Sequence, residues 1–268
     1  MKKTIKDINL KNKRVIVRVD FNVPLDANLN ITDDTRIRET LPTLNYLKKE
    51  GAKIILMSHL GRPKGKPEDK YSLKPCAKKL SELMNQEVKM APGCVDPETK
   101  KLAMNLKPGE IMLLENLRFN PGEEKNDPNF ANELASMAEI FVQDAFGTVH
   151  RAHASTAGIA KYLPSCAGFL LEKEIVYFSK AMDNPAKTYV AILGGAKVSD
   201  KIMVIENLLN KVDALIIGGA MAYTFLKSKG ISIGNSLVEP DKLEVAAKIL
   251  KKAEDKNISL FIPIDHVI

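Results

Sequence analysis

The sequence predicts an α/β fold made of two lobes, each a doubly wound parallel sheet, joined by a helix. Three observations predict it. Apolar runs of strand length alternate with helical patterns along the chain, the sign of βαβ units and of a parallel sheet covered on both faces. The 268 residues exceed the usual size of one such domain, and a prior of roughly 150 residues per domain suggests about two. A proline-bounded helical stretch near the middle separates two blocks of this alternation.

The elements follow in order. Strand-like runs fall near Val15, Ile54, Ile111 and Phe141, and then near Val190, Leu215 and Leu260. Helical patterns, with apolar residues three or four apart, cover residues 34–50, 73–85, 128–138, 200–209 and 242–255. Gly51 ends the first helix, and Pro75 and Pro128 sit near helix starts, where a missing N–H costs little. Gly168 opens a helical stretch that Pro185 closes before a new strand begins at Tyr189. The expected organisation is a first lobe at 1–168, a connecting helix with hinge-like flanks at 169–185, and a second lobe at 186–268. The alternative is an ordinary helix inside one large domain.

Arginines and histidines fall just after the apolar runs of the first lobe. RVDFNVP (18–24) closes the run at 15–19, SHLGRP (58–63) closes 53–57, ENLRF (115–119) closes 111–114, and DAFGTVHRAH (144–153) closes 140–142. In parallel strands these segments share the carboxyl edge of one sheet, where ligands of open α/β folds sit. That edge is expected to be a cationic pocket for a small anion. In the second lobe, GGAKVSDK (194–201) follows a strand and precedes a helix, and GGAMAYTF (218–225) repeats the pattern at the next strand. Glycines let a backbone approach phosphate closely, the helix start offers N–H groups, and Lys197 and Lys201 add charge. A tight strand-to-helix turn without a ligand is the plain alternative. The spacing is not that of a Walker loop. The GK pair within 61–66 is not one either, because no Ser or Thr follows the lysine.

Composition narrows the classes. Hydrophobic residues at 45% and charged residues at 27% are ordinary for a globular protein, and no solenoid repeat is visible. The basic first 14 residues lack the apolar core of a secretory signal. The apolar stretch at 214–226, broken by Gly218 and Gly219, is too short to span a bilayer. Cys76, Cys94 and Cys166 have no metal-like spacing and read as reduced thiols of a cytoplasmic protein. The net charge of +7 would suit nucleic-acid binding. The lysines are instead scattered over helical stretches with no aromatic platform, so a solvated lysine-rich surface is expected, with no nucleic-acid or membrane partner.

The six motifs, in this order and spacing, resemble phosphoglycerate kinase, and the resemblance runs from end to end of the chain. It implies two Rossmann-like lobes with a hinge, 3-phosphoglycerate or 1,3-bisphosphoglycerate in the first lobe, ADP or ATP with Mg²⁺ in the second, and a monomer. The family's substrate contacts fall on Asp20, Asn22, Arg36, His59, Arg62, Arg118 and Arg151. Guanidinium forks suit the phosphate and carboxylate of 3-phosphoglycerate. Arg62, Arg118 and Arg151 are expected at the phosphate end, and Asp20 and Asn22 at the hydroxyl and beside neighbouring arginines. His59 either donates to the ligand or braces its loop, and His150 either contacts the ligand or stands behind the contacting residues. Arg18 belongs to the family's basic patch, although within a strand it also reads as a buried partner for a carboxylate. Asp20 likewise reads as a structural partner for Arg18 or Arg36.

The implied reaction is phosphoryl transfer between the 1-carboxylate of 3-phosphoglycerate and a nucleotide. An ionised carboxylate needs no general base, so positioning and charge cancellation remain for the protein to supply. Arg36 and Lys197 carry the catalytic roles, and Gly194, Gly195, Lys197, Lys201, Gly218 and Gly219 cradle the nucleotide. The family's later glycine-rich turn, with the Asp that holds Mg²⁺-nucleotide, lies beyond this sequence, so no residue here is assigned to metal. The second lobe is expected to be incomplete, with about three strands. The chain by itself is expected to bind 3-phosphoglycerate without kinase turnover; an inactive binding fragment and a basic nucleic-acid-binding protein are the alternatives.

Overall fold

A computed structural model describes residues 2–183 and 185–266; residue 184 of the connecting segment and the last two residues of the second lobe lie outside them. The chain divides into two compact units, residues 1–176 and 177–268.

The first unit runs β1 (Arg14–Arg18), α1 (Thr35–Arg38), α2 (Leu41–Lys49), β2 (Lys53–Met57), α3 (Lys74–Met84), β3 (Val88–Met90), α4 (Pro97–Met104), β4 (Ile111–Leu113), α5 (Pro128–Ser136), β5 (Ile140–Gln143), β6 (Ser165–Ala167) and the start of α6 (Phe169–Asp183). The strands form one sheet in the order β3-β4-β2-β1-β5-β6, and every pairing is parallel. The four runs that end in Arg or His motifs are thus the four central neighbours, β4, β2, β1 and β5. The progression outward from β1 reverses when the chain crosses from β4 to β5, so the topological switch lies between β1 and β5.

Alternation along the strands separates two cores. Val15, Val17, Ile54, Leu56, Ile111, Leu113, Ile140 and Val142 face Ile37, Leu44, Leu47 and Leu80 of α1, α2 and α3. Ile16, Ile55, Met57, Met112 and Phe141 face Ala103 of α4 and Phe130, Ala131 and Leu134 of α5. Both faces are covered, which is why these strands read as continuous apolar runs.

Local chemistry sets the helix ends. Asp96 and Asp127 accept N–H bonds from Thr99 (2.9 Å) and Phe130 (2.8 Å), each with proline at the first helical position. The single helix expected over 34–50 is two helices. Pro42, in the first turn of α2, has no N–H for the carbonyl four residues back, and the chain re-forms its turn at residues 39–40. The strands β3 and β6 have no counterpart in the sequence-based reading.

A buried carboxylate starts α6. Asp144, at the end of β5, is fully buried. Its Oδ1 accepts the N–H groups of Leu170 (2.9 Å) and Leu171 (3.1 Å). A Cβ on Gly168 would lie 2.3 Å from that oxygen, so glycine is required there. Burial outweighs these bonds and pushes the Asp144 carboxyl up to about 6. A folded-state value raised above the usual 3.8 means that the native state holds the proton more tightly. This group's contribution is therefore fully present below about pH 4 and is lost as the pH rises through about 6. Ionisation costs on the order of 3 kcal/mol at neutral pH. Asp144→Asn keeps an oxygen for the two N–H groups and removes the titration. Its stability relative to the wild type is expected to rise between pH 4 and pH 7 by about 2–3 kcal/mol, read by denaturant unfolding at each pH; a flat difference contradicts this.

The second unit contains β7 (Val190–Gly194), α7 (Ile202–Leu208), β8 (Ala214–Gly218), α8 (Met221–Ser228), α9 (Leu243–Asp255) and β9 (Ser259–Phe261). The strands pair in parallel, in the order β7-β8-β9. Leu215 and Ile217 of β8 are buried with Ile205, Met221, Phe225 and Ile249 of the three helices. On the opposite face Ile192 is 72% and Phe261 56% exposed. Among the described residues, α7, α8 and α9 pack on the face that Leu215 and Ile217 present. α8 is a further helix that follows the second glycine turn. No helix of the described residues is long and apolar enough to cross a membrane.

Candidate active site

The four motif segments leave the carboxyl ends of adjacent strands and meet there. Ser58 Oγ, just past β2, accepts the Phe21 N–H of the segment after β1 (2.8 Å). Asn22 Oδ1 accepts the Gly61 N–H (2.9 Å), and Arg118 Nη1 donates to the Gly61 carbonyl (2.8 Å). Gly61 is held from both sides, and the exposed Arg62 follows it. Gly61 adopts φ +61°, and a Cβ would lie 2.4 Å from the Tyr71 ring. Across the switch point, a Cβ on Gly147 would lie 3.0 Å from Asp20 Oδ2, so the segments after β1 and β5 touch.

The arginines differ in their surroundings. Arg18 is 1% exposed: its Nε donates to Ser155 Oγ (3.0 Å), its Nη1 to the Val19 carbonyl, and its Nη2 lies 3.1 Å from His59 Nδ1. Arg118 is 8% exposed and forms an ion pair with Glu124 through Nε (3.0 Å). Arg36, half exposed, pairs with Asp20. Arg151 Nε lies 3.3 Å from Nε2 of the exposed His150. Asp20 therefore orients Arg36 rather than Arg18, and Asn22 holds a backbone turn. For Arg18, the expected carboxylate partner is replaced by a hydroxyl, a carbonyl and an imidazole.

The cluster is strongly positive. Burial, followed by the charges of Arg18, Arg118, Arg151 and His153, pushes His59 down to about 2, so its ring is neutral. Burial also lowers His153, against the pull of Glu123. Glu123 is fully buried and raises Arg18 against the burial that lowers it.

Several residues of this site carried no role in the sequence-based reading: Ser58, Asn116, Glu123, His153 and Ser155. Asn116 had a signal, lying inside ENLRF. Glu123 and Ser155, 32 residues apart, had none that a linear pattern shows.

In the second unit the two glycine turns lie against each other. Gly219 adopts φ +67°, and a Cβ there would lie 2.8 Å from both the nitrogen and the oxygen of Gly195. The Met221 N–H, at the start of α8, donates to the Gly195 carbonyl (2.9 Å). Gly194 and Gly218 are paired in register at the strand ends. The stem of Lys201 lies over Gly195, with Cε 3.1 Å from a Cβ there, and Lys197 is exposed. Glu239 braces the first turn by accepting both the N–H (3.0 Å) and the hydroxyl (2.6 Å) of Ser199. Bonding from that hydroxyl, above all, holds the Glu239 carboxyl below its ordinary range. Among the described residues no cluster of three or more His, Cys, Asp or Glu side chains is arranged to hold a metal ion.

Comparison with known proteins points the same way. A family model described as phosphoglycerate kinase matches residues 5–268. The chain is 58% identical over 268 residues to a phosphoglycerate kinase of Anaeromyxobacter dehalogenans, covering 99% of this chain and 68% of that one. It is 57% identical to one of Fervidobacterium nodosum, of which it covers 66%. A solved phosphoglycerate kinase from Coxiella burnetii superposes with a TM-score of 0.86 at 44% identity, over 98% of this chain and 66% of that one. One from Pyrococcus horikoshii gives 0.84 at 31%, over 98% and 67%. The chain thus spans about two thirds of the length of these relatives. Matched along nearly all of its own length, and carrying its six motifs at the ends of parallel strands, the chain belongs to the phosphoglycerate kinase family.

Proposed function

We propose that the first unit binds 3-phosphoglycerate and that the glycine turns of the second cradle an adenine nucleotide, the two sites serving reversible phosphoryl transfer between 1,3-bisphosphoglycerate and ADP. The observation that carries this reading is the convergence of Arg18, His59, Arg62, Arg118 and Arg151 on the carboxyl edge at the switch between β1 and β5. Such a site suits a ligand with two anionic groups. Arg62, Arg118 and Arg151 take the phosphate end. Asp20 and Asn22 take the hydroxyl, and Asn22 keeps its turn in place.

In the transfer step, a carboxylate oxygen of 3-phosphoglycerate attacks the γ-phosphorus, the bond from that phosphorus to the β-phosphate oxygen breaks, and ADP departs. No proton moves. Arg36 and Lys197 stabilise charge on the transferring group, with Lys201 and the N–H groups around Gly194, Gly195, Gly218 and Gly219 on the remaining phosphates. Magnesium accompanies the nucleotide in this family and would balance phosphate charge. The reading places the chain in the cytoplasm as a monomer whose closure brings substrate and nucleotide together.

Calorimetric titration of the chain with 3-phosphoglycerate tests the first site. Micromolar to submillimolar binding is expected, and Arg62→Ala is expected to weaken it about ten- to a hundredfold, the value of one or two charge-assisted hydrogen bonds. Arg62 is exposed, so its removal should leave thermal stability within about 0.5 kcal/mol of the wild type. A folded wild-type chain that binds no 3-phosphoglycerate contradicts the reading.

A further inference from the structure

A line of buried polar groups crosses the first unit behind the cationic edge. Glu123 and Ser155 are 0% exposed, Arg18 is 1% and His59 is 4%. Glu123 precedes α5, Ser155 lies in the turn at Ala154–Gly158, and Arg18 and His59 stand at the ends of β1 and β2. Four separate segments thus contribute one residue each.

The direction of each bond follows from its chemistry. An ionised carboxylate only accepts, so Ser155 donates its hydroxyl to Glu123 Oε1 (2.5 Å) and its N–H to Oε2 (3.0 Å). With its proton committed there, Ser155 Oγ accepts from Arg18 Nε (3.0 Å). A guanidinium has no acceptor, so the contact between Arg18 Nη2 and His59 Nδ1 (3.1 Å) requires a lone pair on Nδ1. The His59 proton must then sit on Nε2. We propose that Glu123, Ser155 and Arg18 form a positioning relay that holds His59 as the neutral Nε2–H tautomer, a fixed hydrogen-bond donor for an anionic group of the substrate. This rests on the reading of the site as a 3-phosphoglycerate site, and it assigns Glu123, Ser155 and Arg18 to positioning rather than to contact.

The charged surroundings favour the same state. The groups acting on the His59 ring are Arg18 from β1, Arg118 from the segment after β4, and Arg151 and His153 from the segment after β5, and all of them disfavour a second proton. A cationic ring would add charge but would set an N–H against the guanidinium. A neutral ring with Nδ1 as acceptor keeps both bonds and offers a donor that does not change with pH in the physiological range.

Long-range ¹H–¹⁵N correlation spectra of the ¹⁵N-histidine-labelled chain, recorded from pH 5 to pH 8, test the relay without a variant. His59 is expected to show the Nε2–H pattern at every pH. An Nδ1–H pattern, or a ring that titrates in this range, overturns the relay. Ser155→Ala removes one oxygen and no charge. It is expected to mix the His59 tautomers and to weaken 3-phosphoglycerate binding about five- to tenfold. A folded Ser155→Ala chain with both properties unchanged also overturns it. His59→Gln, whose amide nitrogen reaches the place of Nε2, is expected to bind more tightly than His59→Asn, whose amide reaches only that of Nδ1; the opposite order counts against a donor at Nε2. If the wild-type chain binds no 3-phosphoglycerate yet shows the Nε2–H pattern, the functional reading fails and the relay stands.

Discussion

Asn116→Ala is expected to destabilise the first unit by about 3–5 kcal/mol, because one fully buried side chain satisfies three backbone groups. Asn116 Nδ2 donates to the carbonyls of Leu60 (2.7 Å) and Tyr71 (2.9 Å), and Oδ1 accepts the Arg118 N–H (3.0 Å). Truncation leaves two carbonyls and one N–H without their side-chain partner. Each such group costs about 1–3 kcal/mol, and the total falls short of the sum because the loop relaxes. The carbonyls bracket the loop that carries Gly61 and Arg62, so 3-phosphoglycerate binding should weaken together with stability. Asn116→Asp separates hydrogen bonding from shape. It keeps the acceptor for Arg118 but turns a carboxylate toward two carbonyl oxygens, and it is expected to be at least as damaging as alanine. Urea unfolding of both variants, with titration of 3-phosphoglycerate, checks this; a loss under 1 kcal/mol for either variant contradicts it.

What could be read from the sequence, and what could not, divides along physical lines. Strands β1, β2, β4 and β5 were legible because both faces of the sheet are buried, which turns each into an unbroken apolar run closed by a polar motif. Their parallel pairing then set the motif residues side by side. β3 and β6 lie at the sheet edges and, unlike the equally short β4, are not unbroken buried apolar runs, because Lys89 interrupts the first and exposed Ser165 opens the second. Pro42 split the expected first helix at a point that an apolar pattern alone does not mark. At the site, the residue types were legible and their partners were not. Arg18 within a strand suggested a buried carboxylate. Glu123 is there, but one hydroxyl removed, through a serine 137 residues along the chain from the arginine. The choice of Asp20 between Arg18 and Arg36 was likewise open until the fold placed Arg36 against it. Only three-dimensional proximity makes such pairings.

The glycine pairs of the second unit illustrate the same division, and Gly219 carries the other large expected effect. The composition of the turns was legible, but which of the four glycines is indispensable depends on their mutual contact. Gly219→Ala places a methyl 2.8 Å from both the nitrogen and the oxygen of Gly195, at φ +67°. The obstacle is backbone, so no rotamer change relieves it, and the left-handed conformation adds about 1 kcal/mol for a residue with a Cβ. The two turns must separate, breaking the Met221 N–H bond to the Gly195 carbonyl. A loss of about 2–4 kcal/mol is expected, confined to the second unit. Hydrogen exchange should show it as faster opening of residues 194–201 and 218–223, with the amides of β1 and β2 unchanged. Gly218→Ala is the contrast: its methyl would meet only the Leu193 oxygen, at 3.9 Å, and should cost less than about 1 kcal/mol. Gly195→Ala lies between the two, because the atom in its way is Lys201 Cε at 3.1 Å, the last carbon of a flexible side chain. It should cost little stability while moving the Lys201 ammonium, and so weaken nucleotide binding more than it weakens the fold. Equal exchange rates for the Gly219→Ala and Gly218→Ala variants would mean that the turns do not depend on close backbone contact, and would remove the steric basis for a phosphate cradle at this place.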